Sequence, residues 1–294
     1  MDESVLTEFI HYLRFEKRFS PHTLLAYRED LEQFVTYTKD QFELTETSQV
    51  THFHLRSWLA SLKSEDSKPR TINRKISSLQ SFFRFLLKNG RVSKNPVKQL
   101  HSLRLEERLP QFLKEPEAEN LLEEIAFEEG FKGKTDRLIC ELLYQTGMRR
   151  AELIQLKEQD IEWSLRQIRV LGKGNKERLL PLGPALLDEL RQYLLEKKKI
   201  TDNNAVLVLA NGNSLYETYV YRTVQHYMGK VTTLKKKSPH ILRHSFATHL
   251  LNNGANIQAI KDLLGHSSLA ATQIYTHNNI EKLKEIHKLN HPRG

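Results

Sequence analysis

From Thr71 to Leu87 the apolar residues Ile72, Ile76, Leu79, Phe82, Phe83 and Leu86 return every three or four positions. An α-helix completes a turn in about 3.6 residues, so this spacing places them on one face. Such a stripe must be covered by another element, because a single amphipathic helix cannot bury its own apolar side. Three segments of the same kind precede it. Leu24, Tyr27, Leu31, Phe34 and Val35 mark one, Phe53, Leu55, Trp58, Leu59 and Leu62 another, and a helix from about Ser4 to Lys17 completes the set. Ser20-Pro21-His22-Thr23 has the form of a helix start, with Ser20 as N-cap and Pro21 in the first turn, and Asn89-Gly90 has the form of a stop. Residues 1–90 are therefore expected to fold as a four-helix unit.

The opposite face of the fourth helix carries Lys68, Arg70, Arg74, Lys75 and Arg84, with Thr71, Asn73, Ser77, Ser78 and Gln80 between them. A solvated basic face is the commoner meaning of such a pattern. The sharper expectation is a helix that tracks phosphates, with Arg70, Thr71, Arg74 and Lys75 as the contacts. The whole chain carries a formal net charge of +9, and both halves share the excess. That balance suits a polyanionic partner without deciding it.

Residues 91–112 break the helical pattern. Asn95-Pro96 and Leu109-Pro110 bracket a charged stretch, Arg104 to Arg108, which reads as a linker. Residues 113–294 then form a second unit of mixed character. Helical spacing resumes near Glu115, and two strand-like runs, 167–171 and 178–182, face each other across Gly172-Lys173-Gly174-Asn175. From Leu186 the chain reads as helical except for the apolar run 205–210, and it ends in a helix at about 279–290 with Ile280, Leu283, Ile286 and Leu289 on one stripe. The fold class is mainly α with a small β-sheet, α+β, in the second unit.

Several classes are disfavoured. Cys140 is the only cysteine, so neither a disulfide framework nor zinc-finger spacing is available. Apolar runs such as Ala205–Ala210 fall far short of the roughly 18 residues of a membrane span. The opening Met1-Asp2-Glu3 lacks the basic and apolar regions of a secretory signal. A cytoplasmic protein with no membrane insertion is expected.

Chemistry concentrates between His240 and His277, in His240-Ile-Leu-Arg-His244, Leu264-Gly-His266 and Ile274-Tyr-Thr-His277. His240 and His244 share a helix face, but a zinc protease needs a glutamate after the first histidine. Here that position is Ile241, and no carboxylate lies between Ser238 and Lys261. His240 and Arg243 also share a face, and arginine's planar fork suits phosphate oxygens. A second arginine, a lysine on a turn and a tyrosine would complete a phosphoryl-transfer site; Arg149, Lys173 and Tyr275 are candidates. Taken singly each has an ordinary explanation, as a paired surface arginine, a turn lysine or one of ten tyrosines. Gly172-Lys173-Gly174 is not a P-loop either. Spacing alone leaves the assignment open.

The order Arg149, Lys173, His240-x-x-Arg243, His266, Tyr275 resembles the signature of the tyrosine recombinase, or phage integrase, family. The flanking words agree: Thr-Gly-Met-Arg at 146–149, Gly-Lys-Gly-Asn-Lys-Glu-Arg at 172–178, Pro-His-Ile-Leu-Arg-His-Ser-Phe-Ala-Thr-His at 239–249 and Thr-Gln-Ile-Tyr-Thr-His at 272–277. Ser20-Pro21-His22-Thr23, Tyr27 and the closing His291-Pro292-Arg293 resemble the XerC/XerD-like subgroup. Met148 and Arg150 depart from the commoner family residues at their positions, and neither is a reacting group.

The resemblance implies a two-domain DNA clamp: an N-terminal SAM-like core-binding domain, 1–90, and a catalytic domain, 113–294. It implies Tyr275 as nucleophile, forming a 3′-phosphotyrosyl link, with Arg149 and Arg243 on the non-bridging oxygens and His266 beside them. His240 would assist proton transfer and Lys173 would protonate the leaving 5′-oxygen. No metal, cofactor or ATP is implied. The implied partners are duplex DNA with an inverted-repeat-like site, a homo- or heterotetramer with a second Xer-type recombinase, and an FtsK-like translocase, in resolving chromosome dimers at a dif-like site. The terminal helix packs on its own domain or is donated to a neighbour. Rival readings are a transposon or phage integrase, a type IB topoisomerase and a non-catalytic DNA-binding protein.

Overall fold

The computed structural model describes residues 3–104, 111–172, 177–265 and 285–293 of the chain. It divides into two compact units, Met1–Arg108 and Leu109–Gly294. Among the described residues no helix is long and apolar enough to cross a membrane.

The first unit is built from α1 (Glu3–Phe15), α2 (Pro21–Phe42), α3 (His52–Ser64) and α4 (Pro69–Lys88). The start signal at Ser20 acts as expected: its hydroxyl accepts from the Thr23 amide at 3.3 Å, with Pro21 in the first turn of α2. The apolar stripes meet in one core, with Phe9, Phe34, Trp58, Leu79 and Phe83 sealed from solvent. Phe34 and Trp58 pack at 5.1 Å between ring centroids. The stretch expected as a linker takes part in this core: Val92, Val97 and Leu100 are buried against it. Three apolar side chains spaced through irregular backbone carry too little periodicity to be recognised as core.

The basic face of α4 needs one correction. Lys75 is buried, not presented to a partner. Its ammonium donates to Asp30 Oδ1 at 3.0 Å and to Gln33 Oε1, and lies 5.5 Å from the centre of the Trp58 ring. Asp30 also accepts from Arg74 Nη1 at 2.6 Å and from the Ser78 hydroxyl at 2.8 Å. A buried carboxylate needs such partners, since leaving it unpaired in a low-dielectric core costs several kcal/mol. Lys75 therefore joins α4 to α2. Arg70 is exposed, Thr71 is half-buried, and Arg74 stays at the surface while one of its amino groups is held by Asp30.

The second unit opens with α5 (Glu115–Glu119) and a π-helical turn, Asn120–Glu124, and is organised around α6 (Gly130–Thr146). Leu138 through Thr146 are buried without interruption. Such burial on all sides follows from the position of α6 among α8 (Pro184–Lys197), α9 (Glu217–Val231) and α10 (Pro239–Asn252). A short α7 (Arg150–Gln155) follows α6. The sheet has three antiparallel strands in the order β1 (Ile161–Glu162), β2 (Gln167–Leu171), β3 (Glu177–Pro181). The expected hairpin is present, with Ile168 opposite Leu180; the two-residue β1 is too short to announce itself. α11 (Ile257–Leu264) is capped by Asn256, whose side-chain oxygen accepts from the Gln258 amide at 2.7 Å, and ends at Gly265 with φ +62°.

Of the expected terminal helix, 285–290 is helical and packs on its own unit. Ile286 rests on the core while Leu289 faces solvent; Ile280 and Leu283 lie outside the described residues. The buried side chains at this end are His287 and His291, four apart, with parallel rings 4.9 Å between centroids.

Candidate active site

The turn from α6 to α7 places the first arginine. Gly147 ends α6 with φ +61°, a conformation that strains side-chain-bearing residues, and a Cβ there would stand 2.4 Å from the Phe246 ring. Met148 is buried beside it and anchors the turn in the core. Arg149 is then the N-cap of α7. Its amide donates to Glu152 Oε2 at 2.6 Å and its guanidinium Nη1 to Oε1 at 2.8 Å. One carboxylate thus fixes both the backbone and the side chain of this arginine.

Arg243 comes from the middle of α10 and is buried. It donates from Nη1 to the carbonyl of Gly147 and from Nη2 to the carbonyl of Leu264 at 2.7 Å. Arg149 Nη2 reaches the carbonyl of Gly265 at 3.2 Å. Two arginines from different helices therefore meet on consecutive carbonyls at the end of α11. Those carbonyls are unpaired by the helix and sit at its negative pole, which favours cations. Burial, then the charges of Arg149 and Arg178, pull Arg243 from the usual guanidinium range to about 9. It is still a cation at neutral pH.

His240 stands in the first turn of α10, exposed, three residues before Arg243. Partial burial of the ring and then the charge of Arg243 lower its pKa, with Lys236, His244 and Arg149 adding to the effect. A neutral imidazole is the form that accepts a proton. Arg150, whose role was open, pairs with Glu217 at the start of α9 at 2.5 Å. Lys173, His266 and Tyr275 lie outside the described residues. In sequence they follow, respectively, the end of β2, Gly265, and nine further residues beyond His266.

Two residues that the pattern did not single out belong to this cluster. Glu152 accepts from Arg149, as above, and also from Arg178. Arg178 stands two residues before the buried Leu180 on β3, on the same face of the strand, so its side chain points inward. An arginine at the inward register of a strand is a signal that strand periodicity alone can give. Cys140 is buried in α6, where desolvation pushes its thiol pKa up and away from reactivity.

The chain can be set beside known proteins. Residues 111–282 match the phage integrase family, and residues 6–90 match the N-terminal SAM-like domain of phage integrases. The chain is 39% identical to tyrosine recombinase XerC of Staphylococcus haemolyticus, over 99% of this chain and 98% of that one. It is 35% identical to tyrosine recombinase XerD of Listeria innocua, over 99% of each. Among solved structures, the post-cleavage complex of the XerH site-specific recombinase with its palindromic difH substrate superposes with a TM-score of 0.73, at 24% identity, over 97% of this chain and 83% of that one. At that identity the likeness concerns the fold.

Proposed function

Because the chain belongs to the phage integrase family, we propose that it is a site-specific tyrosine recombinase of the Xer type, cutting and rejoining DNA strands through Tyr275. The observation that supports the site most directly is the meeting of Arg149 and Arg243 at the end of α11. Both forks converge on one place, one and two residues before His266 in sequence, and both guanidinium positions are set by hydrogen bonds before any substrate arrives.

The chemistry assigned to these residues balances without an external energy source. The Tyr275 oxygen forms a bond to phosphorus as the bond from phosphorus to the 5′-oxygen breaks. Lys173 gives a proton to that oxygen, and His240 takes up the tyrosine's proton, directly or through the phosphate. Arg149 and Arg243 neutralise the non-bridging oxygens of the five-coordinate transition state, with His266 donating to the same oxygens. Rejoining is the reverse, with the 5′-hydroxyl of another strand as nucleophile. The phosphodiester energy is stored in the phosphotyrosyl bond.

On the same reading Arg70, Thr71 and the exposed part of Arg74 meet the DNA backbone. The substrate is a duplex with inverted-repeat-like arms, a dif-like site. The working assembly is a tetramer, of this subunit alone or with a second Xer-type recombinase, under an FtsK-like translocase in the cytoplasm. Incubation with a nicked suicide duplex carrying dif-like arms, followed by a denaturing gel, tests the core of the reading. Wild type yields a protein–DNA adduct. Tyr275→Phe binds the duplex and yields none; an adduct from Tyr275→Phe would remove Tyr275 as nucleophile.

A further inference from the structure

β3 carries a buried arginine to which the chemistry above assigns no part. The Arg178 side chain is 3% exposed, so it reaches neither solvent nor a DNA backbone. Its Nη1 and Nη2 donate to the two oxygens of Glu152 at 2.8 and 2.7 Å, a fork-on-fork pair. Its Nε donates to the carbonyl of Leu263 at 2.8 Å. Three arginines thus hold three successive carbonyls at the end of α11: Arg178 on Leu263, Arg243 on Leu264, Arg149 on Gly265. Gly265 is shaped for this approach, since a Cβ there would stand 3.1 Å from Cδ of Arg178.

A buried ion pair by itself is a weak device for stability, because desolvation offsets most of the attraction and well-packed apolar residues often replace it at no loss. What the pair gives here is geometry. It joins three segments: α7, whose N-cap is Arg149; β3, which begins four residues after Lys173 in sequence; and the end of α11, which precedes His266. Each leads to a residue that the proposed function assigns to the reaction.

We propose that Arg178 is a positioning residue of the strand-cleavage reaction. It holds Glu152 as a carboxylate that sets the Arg149 guanidinium, and it ties β3 to the end of α11 so that the segments carrying Lys173 and His266 share one anchor. This rests on the assignment of Arg149 to the active site. The electrostatics agree with the geometry. Burial pushes the Glu152 carboxyl up, but its hydrogen bonds and charge contact with Arg178, and then those with Arg149, outweigh burial and hold it at about 2. Glu152 is therefore ionised wherever the protein works. Arg178→Lys takes away the fork and leaves a point charge that cannot meet both oxygens and the Leu263 carbonyl together. Glu152 then protonates at a higher pH and loosens its hold on Arg149 as the medium becomes acidic.

The test is the cleavage rate on a nicked suicide duplex with dif-like arms at saturating protein, from about pH 5 to pH 8. Wild type, Arg178→Lys, Glu152→Gln, the double variant and Arg149→Lys are compared, and DNA affinity is measured beside the rate. Arg178→Lys is expected to keep wild-type DNA affinity, to cleave roughly 10- to 100-fold more slowly, and to lose more activity towards acid pH than wild type, whose own acid loss is the protonation of His240. The double variant is expected to be no slower at acid pH than Arg178→Lys, because the two residues act as one unit. A wild-type rate and pH profile for Arg178→Lys overturns the proposal. So does a pH-independent loss that tracks a lowered melting temperature and recovers on cooling. If Arg178→Lys does not fold, Glu152→Gln carries the test: a loss of rate at unchanged DNA affinity is expected, and a wild-type rate overturns the proposal. Inactive Arg149→Lys beside fully active Arg178→Lys sinks this proposal alone; fully active Arg149→Lys sinks the active-site assignment and this proposal with it.

Discussion

Glu141 is fully buried in α6, and replacing it with glutamine should stabilise the second unit in a strongly pH-dependent way. Its carboxylate accepts from Arg137 Nε and from Gln145 Nε2, both at 3.3 Å, and lies 3.7 Å from the Arg293 guanidinium. Burial nevertheless dominates. It pushes the carboxyl up, Glu189 adds to the effect, and Arg293 and Arg137 offset only part of it, so that the group titrates at about 7 in place of its ordinary 4.5. A carboxyl raised on folding binds more protons in the folded than in the unfolded chain. Its contribution is then complete below about 4.5 and is lost as the pH rises through about 7. At about 1.4 kcal/mol per pH unit the loss is about 3 kcal/mol. Glutamine has the shape of the protonated acid and no charge to desolvate. Glu141→Gln should therefore match wild type near pH 4 and exceed it by up to about 3 kcal/mol at pH 8, a rise in Tm on the order of 10 °C for a unit of this size. Calorimetry of both proteins across this range measures the difference directly. Taking the difference also removes the buried His249, His287 and His291, whose lowered pKa values work with the opposite sign, since their stability is lost as pH falls. If Glu141→Gln is destabilised at pH 8, pairing with Arg137 and Arg293 outweighs desolvation and the reasoning fails.

Two residues in the first turns of α4 should separate stability from DNA binding. Lys75→Met should lower the melting temperature of the first unit, because it leaves Asp30 short of a buried partner, by roughly 1–3 kcal/mol, with little change in DNA affinity; unchanged melting would refute the structural role. Arg70→Ala should do the reverse, leaving melting unchanged while weakening binding and reducing the salt slope of log K by about 1, and an unchanged slope would take Arg70 off the phosphate. Truncation after Asn278 removes His287, whose ring bonds the Gln145 carbonyl at 2.7 Å, and Arg293, which pairs with Glu123 at 2.7 Å. The second unit should then melt lower, by at least about 2 kcal/mol for the buried rings that are lost. A melting temperature equal to wild type would mean that this end contributes nothing to its own unit.

Much of the architecture was open to a reader of the chain alone, for a definite reason. Helix and strand periodicities, caps and turns are local: Ile72, Ile76, Leu79 and Phe83 declare their face within one helix, Ser20 and Pro21 mark where α2 begins, and the runs on either side of Gly172 declare the hairpin. The reaction class was readable only through a family resemblance, because Arg149, Lys173, His240, Arg243, His266 and Tyr275 stand in words whose order resembles the tyrosine recombinase signature, while their spacing alone left the chemistry open. Only the tertiary structure decided which polar groups meet. Arg70 and Lys75 are neighbours on one basic helix, yet α2 brings Asp30 to Lys75 and not to Arg70, and turns a candidate DNA contact into a core ion pair. Likewise, Glu152 and Arg178 are unremarkable in sequence until β3, α7 and the end of α11 come together, and His287 and His291 stay unassigned until the chain end folds back on α6. Periodicity extends only over neighbouring turns, whereas the partner of a buried charge is chosen by packing between distant segments. The sequence could therefore specify the elements and the chemistry, and the packing had to specify the support beneath them.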